Sequence, residues 1–166
     1  AAVRFGAIVL LQNTASGTYL DTYGWVANSP AFWNVAGTER IFVSTYAEKD
    51  RGGGTTSWQI VSAEGKKEGA PLCIGDRVHL RNMYSDAGYL DCCGWVEDLG
   101  PFRDQEFAQG QGSERIVRSG VFTSGAANRD NGTGIWVIQS TDKAVGAVVA
   151  TSAVGALVSI RSQLPG

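Results

Sequence analysis

Four blocks of residues occur twice in this chain, in the same order, and that duplication limits the fold more than any other feature. Val9-Leu10-Leu11-Gln12-Asn13 matches Val78-His79-Leu80-Arg81-Asn82. Tyr19-Leu20-Asp21-Thr22-Tyr23-Gly24-Trp25-Val26 matches Tyr89-Leu90-Asp91-Cys92-Cys93-Gly94-Trp95-Val96. Gly37-Thr38-Glu39-Arg40-Ile41 matches Gly112-Ser113-Glu114-Arg115-Ile116, and Trp58-Gln59-Ile60 matches Trp136-Val137-Ile138. The offsets grow from 69 through 70 and 75 to 78, as they do when the second copy carries loop insertions. A third copy begins at Gly155-Ala156-Leu157-Val158-Ser159-Ile160-Arg161, opposite Gly75–Arg81, and the sequence ends at Gly166. Such a repeat is one supersecondary unit that buries its apolar face only against its neighbours.

Each copy reads as four short strands. The first spans 8–12, 77–81 and 157–161 in the three copies; the second spans 18–22 and 88–92. The third spans 40–45 and 116–123, and the fourth spans 57–62 and 135–140. All are rich in β-branched and aromatic residues and are bounded by Gly, Asn, Asp or Ser. Arg77-Val78-His79-Leu80-Arg81 alternates, with Val78 and Leu80 on one face. No window carries a capped helical period. The expected fold is all-β: one domain with lobe 1 at about 7–68, lobe 2 at about 75–146 and a partial third lobe at 147–166. Segments 27–36 and 97–111 are the variable loops, and 48–56 with 126–134 form a second, surface turn in each copy.

Composition narrows the function. Net charge is −2 and pI about 5.4, which is not the basic footprint of a nucleic-acid binder. The uncharged stretch 144–160, which no other exceeds in length, is too short and too polar to span a bilayer. The chain opens on Ala1-Ala2-Val3, and export is the expectation. With one His and no Cys-x-x-Cys among Cys73, Cys92 and Cys93, neither a metal site nor any other cofactor is expected. An odd cysteine count leaves one thiol over; Cys92 and Cys93 are poorly placed to pair with each other, and Cys73 with either stays open. His79 stands mid-strand between Arg77 and Arg81, no Gly-x-Ser-x-Gly is present, and no carboxylate pair stands out, so no enzyme activity is expected. Asn131-Gly132-Thr133 is the one glycosylation sequon.

The pattern Tyr-Leu-Asp-x-x-Gly-Trp, followed some thirty-odd residues later by Trp-x-Ile, resembles a lobe of the ricin-B-like and MIR-like β-trefoil modules. The resemblance runs from Ile8 to Arg161 and implies a β-trefoil-like barrel whose repeat is about 70–80 residues long and whose third lobe is truncated. Three departures stand out. Thr56 and Gly134 occupy the Gln of the ricin-type Gln-x-Trp, the lobes are long, and the third stops after its first strand. Open barrel edges invite pairing with other chains. Completion by a partner chain, by exchange between copies, or a two-lobed variant of the fold are the alternatives.

The resemblance also implies sugar sites. In lobe 1 these would use Asp21, Trp25, Asn28 and Trp33; in lobe 2, Asp91, Trp95 and Phe102, with Gln105 as a weaker member. A carboxylate accepts sugar hydroxyls, and an aromatic face packs on the C–H face of a pyranose. Asp21 and Asp91 have a second reading as turn formers beside Gly24 and Gly94. Trp58 and Trp136, in alternating strands, read as core. The expected function is a secreted or extracellular, non-catalytic lectin for cell-surface or extracellular glycans. The rival is a structural or assembly protein whose open edges make oligomer or filament contacts. A receptor-binding part of a toxin is indistinguishable from the first.

Overall fold

Short alternating segments separated by glycine-rich turns give nine antiparallel strands among the described residues. The computed structural model describes residues 1–25, 41–85, 87–95, 119–151, 155–156 and 158–163. In lobe 1 the strands are β1 (Ile8–Leu10), β2 (Tyr19–Trp25), β3 (Ile41–Tyr46) and β4 (Ser57–Ser62). In lobe 2 they are β5 (Arg77–Asn82), β6 (Tyr89–Trp95), β7 (Ser119–Ser124) and β8 (Trp136–Gln139), and β9 (Ser159–Ser162) opens lobe 3. The all-β, trefoil-like expectation holds, and the fourth strand of lobe 1 falls where the sequence put it. The second strands run on to Trp25 and Trp95, because a register shift after Thr22 and after Cys92 absorbs the turn-like Gly and lets pairing resume.

The first and fourth strands of each lobe make the wall, in the order β1–β4–β5–β8–β9. β2–β3 and β6–β7 are hairpins that meet each other through Phe42 opposite Phe122. The wall repeats its register. Val9 faces Trp58 and Val78 faces Trp136 within lobes, whereas Trp58 faces Asn82 and Trp136 faces Ser162 between them. Trp58 and Trp136 are buried with Ile60, Leu80, Leu90 and Ile138 in one core, as their alternating context implies.

At one end the three lobes are tied by a cyclic set of backbone hydrogen bonds. Val3 N–H donates to Val149 O, Leu72 N–H to Val3 O and Val149 N–H to Leu72 O, each at 2.8 Å. A second ring surrounds it: Phe5 N–H to Ala70 O at 2.9 Å, Ile74 N–H to Ala147 O at 2.8 Å and Thr151 N–H to Ala1 O at 2.9 Å. The threefold pattern is therefore complete at this end although lobe 3 has only its first strand among the described residues. Gly6, Gly75 and Gly155, at φ of 90°, 94° and 88°, turn each lobe from this ring into its first strand. Among the described residues, no helix is long and apolar enough to cross a membrane, which says nothing of β-barrels.

Candidate functional site

The two copies of Leu-Asp build the same device. Asp21 and Asp91 sit in β2 and β6, opposite Ser44 and Phe122, and their side chains are 1% and 0% exposed. An ionised carboxylate is expensive to bury without a partner. The partner is an arginine from the second loop of the same lobe. Arg51 Nε donates to Asp21 Oδ2 at 3.1 Å, and its Nη2 donates to Thr22 O at 2.5 Å. Arg129 Nε donates to Asp91 Oδ2 at 3.0 Å, and its Nη2 donates to Cys92 O at 2.9 Å. One guanidinium thus ties side chain and backbone of adjacent residues, a geometry for which its planar fork is suited.

Neighbouring bonds repeat as well. Trp58 Nε1 donates to Leu20 O at 3.1 Å and Trp136 Nε1 to Leu90 O at 3.0 Å. Thr22 N–H donates to Thr55 O at 3.1 Å and Cys92 N–H to Thr133 O at 3.0 Å. Thr22 Oγ1 reaches Asn82 Oδ1 of the next lobe at 3.3 Å, and Cys92 Sγ reaches Ser162 Oγ at 3.4 Å. The Leu-Asp motif is therefore the joint where hairpin, loop, fourth strand and the next lobe meet.

This changes the reading of the motif. Asp21 and Asp91 do not shape a turn: they lie in paired strands and hold arginines. Their carboxylates face inward in this structure, so a direct sugar contact through them would require the arginine to leave. Arg51 and Arg129 are the residues that sequence reasoning passed over, as part of a solvated loop. Their signal was the spacing, since they are 78 residues apart, as Trp58 and Trp136 are. Asn28, Trp33 and Phe102 lie outside the described residues, and of Trp25 and Trp95 only the backbone is described. The cysteines are settled in part. Cys73 is a free thiol and Cys92 bonds Ser162, so Cys73 is joined to neither Cys92 nor Cys93. His79 Nδ1 lies 2.8 Å from Gly134 O and its ring meets Tyr89 edge-on, a structural engagement on the outer face of β5.

Beside the lobe 1 clamp is a surface cavity of about 180 Å³, lined by Thr22, Gly24, Arg51, Thr55 and Tyr84 among others. The guanidinium of Arg51, one-third exposed, lies 5.6 Å from the centre of the Tyr23 ring, and Tyr23 is 63% exposed. Tyr84 is also exposed. The cavity therefore offers a fixed cation, hydroxyl groups and the Tyr84 ring.

Comparison with known proteins bears on the fold. No protein-family model matches the chain, and no curated protein sequence does. Among solved structures, an SDF2-like protein from Arabidopsis thaliana matches with a TM-score of 0.60 at 10% identity, over 98% of this chain and 74% of that one. A Caenorhabditis elegans protein of unknown function matches with a TM-score of 0.57 at 14% identity, over 84% of this chain and 66% of that one. At these identities the likeness is one of fold. With the repeated wall register and the threefold ring, it establishes a β-trefoil-like architecture.

Proposed function

We propose that the chain is a non-catalytic carbohydrate-binding module for cell-surface or extracellular glycans, and that its lobe 1 contact is the cavity beside Arg51 rather than Asp21 itself. The observation that carries this reading is the clamp. Asp21 holds Arg51 with its guanidinium against an open cavity lined by Tyr84, and the same guanidinium lies against the exposed Tyr23 ring. A guanidinium donates to hydroxyl or carboxylate oxygens, and a tyrosine ring packs on the C–H face of a sugar. Binding by a preorganised cation and exposed rings loses little entropy. The engagement of both repeat aspartates with arginines favours a binding role over acid–base chemistry. A second site of the same kind in lobe 2 would add avidity on a clustered glycan surface.

The test is a glycan array on the purified chain, followed by titration of the best ligand against Tyr84→Ala, Tyr23→Ala and Trp33→Ala. Saturable binding, competed by free sugar and weakened about tenfold by Tyr84→Ala, is the expected result. No ligand across the array removes the lectin reading, and retention of full affinity in all three variants removes the assignment of the site.

A further inference from the structure

Tyr84 joins the cavity beside Arg51 to two others. It lines that cavity and also a second, of about 380 Å³, whose wall includes Arg81, Gly88 and Tyr89. Arg81 and Tyr89 in turn line a third, of about 330 Å³, together with Gln59, Lys66 and Glu68. The three share walls in succession along the outside of the junction between lobes 1 and 2. The fold fixes these positions. β5 alternates, so Val78 and Leu80 are buried while Arg81 is exposed, and Arg81 stands opposite Tyr89 of β6 in register. Tyr84 N–H donates to Asn82 Oδ1 at 3.0 Å. The loop that carries Arg51 lies against the Tyr84 ring: a Cβ on Gly53 would stand 3.2 Å from its Cδ2.

Charge is uneven along this track. Arg51 is paired with Asp21 and Lys66 with Asp76, and Glu68 adds a negative charge in the third cavity. Arg81, at the centre, makes no ion pair among the described residues; its Nη1 donates to Gln59 Oε1 at 3.3 Å. Building on the carbohydrate reading, we propose that the three cavities are one track for an extended acidic glycan, in which Arg81 holds the carboxylate or sulfate of a central sugar and Tyr84 and Tyr89 pack against sugar rings. A guanidinium whose fork is still open matches a pair of acidic oxygens. Tyrosine rings beside it take the C–H faces of the sugars. The uncompensated cation has paired charges on both sides, so a chain with an acid on one sugar and neutral groups beside it fits better than a uniform polyanion. The equivalent positions in lobe 1 are Gln12, Ala15 and Tyr19, without the cation or the Tyr84 ring, so lobe 1 does not repeat the track.

The experiment titrates the full chain calorimetrically with hexasaccharides of hyaluronan, of galacturonate and of sulfated dextran. The methyl-esterified uronates and unsulfated dextran are the neutral controls. Saturable binding of an acidic hexasaccharide is expected, weakened about tenfold or more in its neutral form and to a similar degree in Arg81→Gln. A disaccharide should also bind more weakly, because it cannot reach both rings. Binding by the uronates assigns a carboxylate to Arg81, and binding by the sulfated dextran alone assigns a sulfate. The neutral controls leave the chain untouched, so the result does not depend on a variant folding. Equal affinity for acidic and neutral forms, or native affinity in Arg81→Gln, overturns the proposal. Neutral sugars that bind with dependence on Tyr84 but not on Arg81 overturn the acidic track and leave the glycan reading standing, whereas no binding by any glycan removes both.

Discussion

Lobe 2 and the pair of lobes flanking it are built from the same repeat, yet they are buried to different degrees. Val78 and Leu80 have a strand on both sides and are 0% and 1% exposed. Val158 and Leu11 flank the edge strands β9 and β1 and retain contact with solvent. The residue types are alike, Val for Val and Leu for Leu, so the difference is not in the sequence of the position. It comes from the neighbour. A repeat residue is only as buried as the strand beside it allows, which is why repeat units derive stability from their interfaces. The clamp behaves otherwise: Asp21 and Asp91 are equally buried in both lobes, because each clamp is closed within its own lobe.

The largest effects should come from the clamps. Arg129→Met removes the guanidinium that faces the buried Asp91 carboxylate, and loss of one partner of a buried pair costs about 3–5 kcal/mol. Asp91→Asn should cost less, since Arg129 is partly exposed and can turn to water. Arg51→Met should match Arg129→Met closely in urea unfolding. A much smaller loss in lobe 1 would mean that the clamp there depends on the closed side of the barrel.

The wall comparison is next. Leu80→Ala removes a fully buried side chain and should cost about 2–5 kcal/mol. Leu11→Ala removes its half-exposed equivalent and should cost about half as much, because part of its surface was already in water. Equal losses would show that Leu11 is covered in solution.

Glycines sharpen the contrast at smaller amplitude. A Cβ on Gly88 would stand 2.2 Å from Ser124 O, in a backbone at φ of 89°. Gly88→Ala should therefore cost about 2 kcal/mol or more. Gly17, at φ of 72°, has open space around it, so Gly17→Ala should cost about 1 kcal/mol from backbone conformation alone. Thermal melts of the two variants separate close approach from conformational strain.

What the sequence disclosed follows from what kind of signal each feature leaves. Trp58 and Trp136 were legible as core because an alternating strand fixes which face a side chain takes. The Leu-Asp motif was visible as a repeat, but its role was not, since a carboxylate in a hairpin has the same letters whether it binds a sugar or an arginine. The partner, thirty or more residues away in a glycine-rich loop, carries no local pattern; only the shared spacing of Arg51 and Arg129 gives it away. The ring of Val3, Leu72 and Val149 left almost no trace. Its bonds are made by backbone atoms, which ask only that the side chains be apolar and small enough to meet.

One ion pair joins the end of lobe 1 to the start of lobe 2 and has no repeat among the described residues. Lys66 Nζ lies 2.5 Å from Asp76 Oδ1, while Asp76 Oδ2 accepts the Cys73 N–H at 2.8 Å. The positions equivalent to Asp76 are Ala7 and Ala156. The hydrogen bond to Asp76 raises the Lys66 pKa above its ordinary 10.5, outweighing desolvation, with the Asp76 charge adding to it. The sign follows from linkage. A folded-state pKa above the unfolded one gives a contribution fully present below the unfolded pKa and lost as pH rises through the folded pKa. Stability should therefore fall more steeply above about pH 10.5 in the native chain than in Lys66→Gln, which leaves the Asp76–Cys73 bond in place. Lys66 is at the surface, so the effect should be the smallest of the series and should shrink with added salt. Parallel urea titrations at neutral and alkaline pH, taken as the difference between the two chains, isolate it from the rest of the molecule. Identical alkaline slopes would mean that the pair is open in solution, and that lobe 2 differs from its neighbours by its buried position alone.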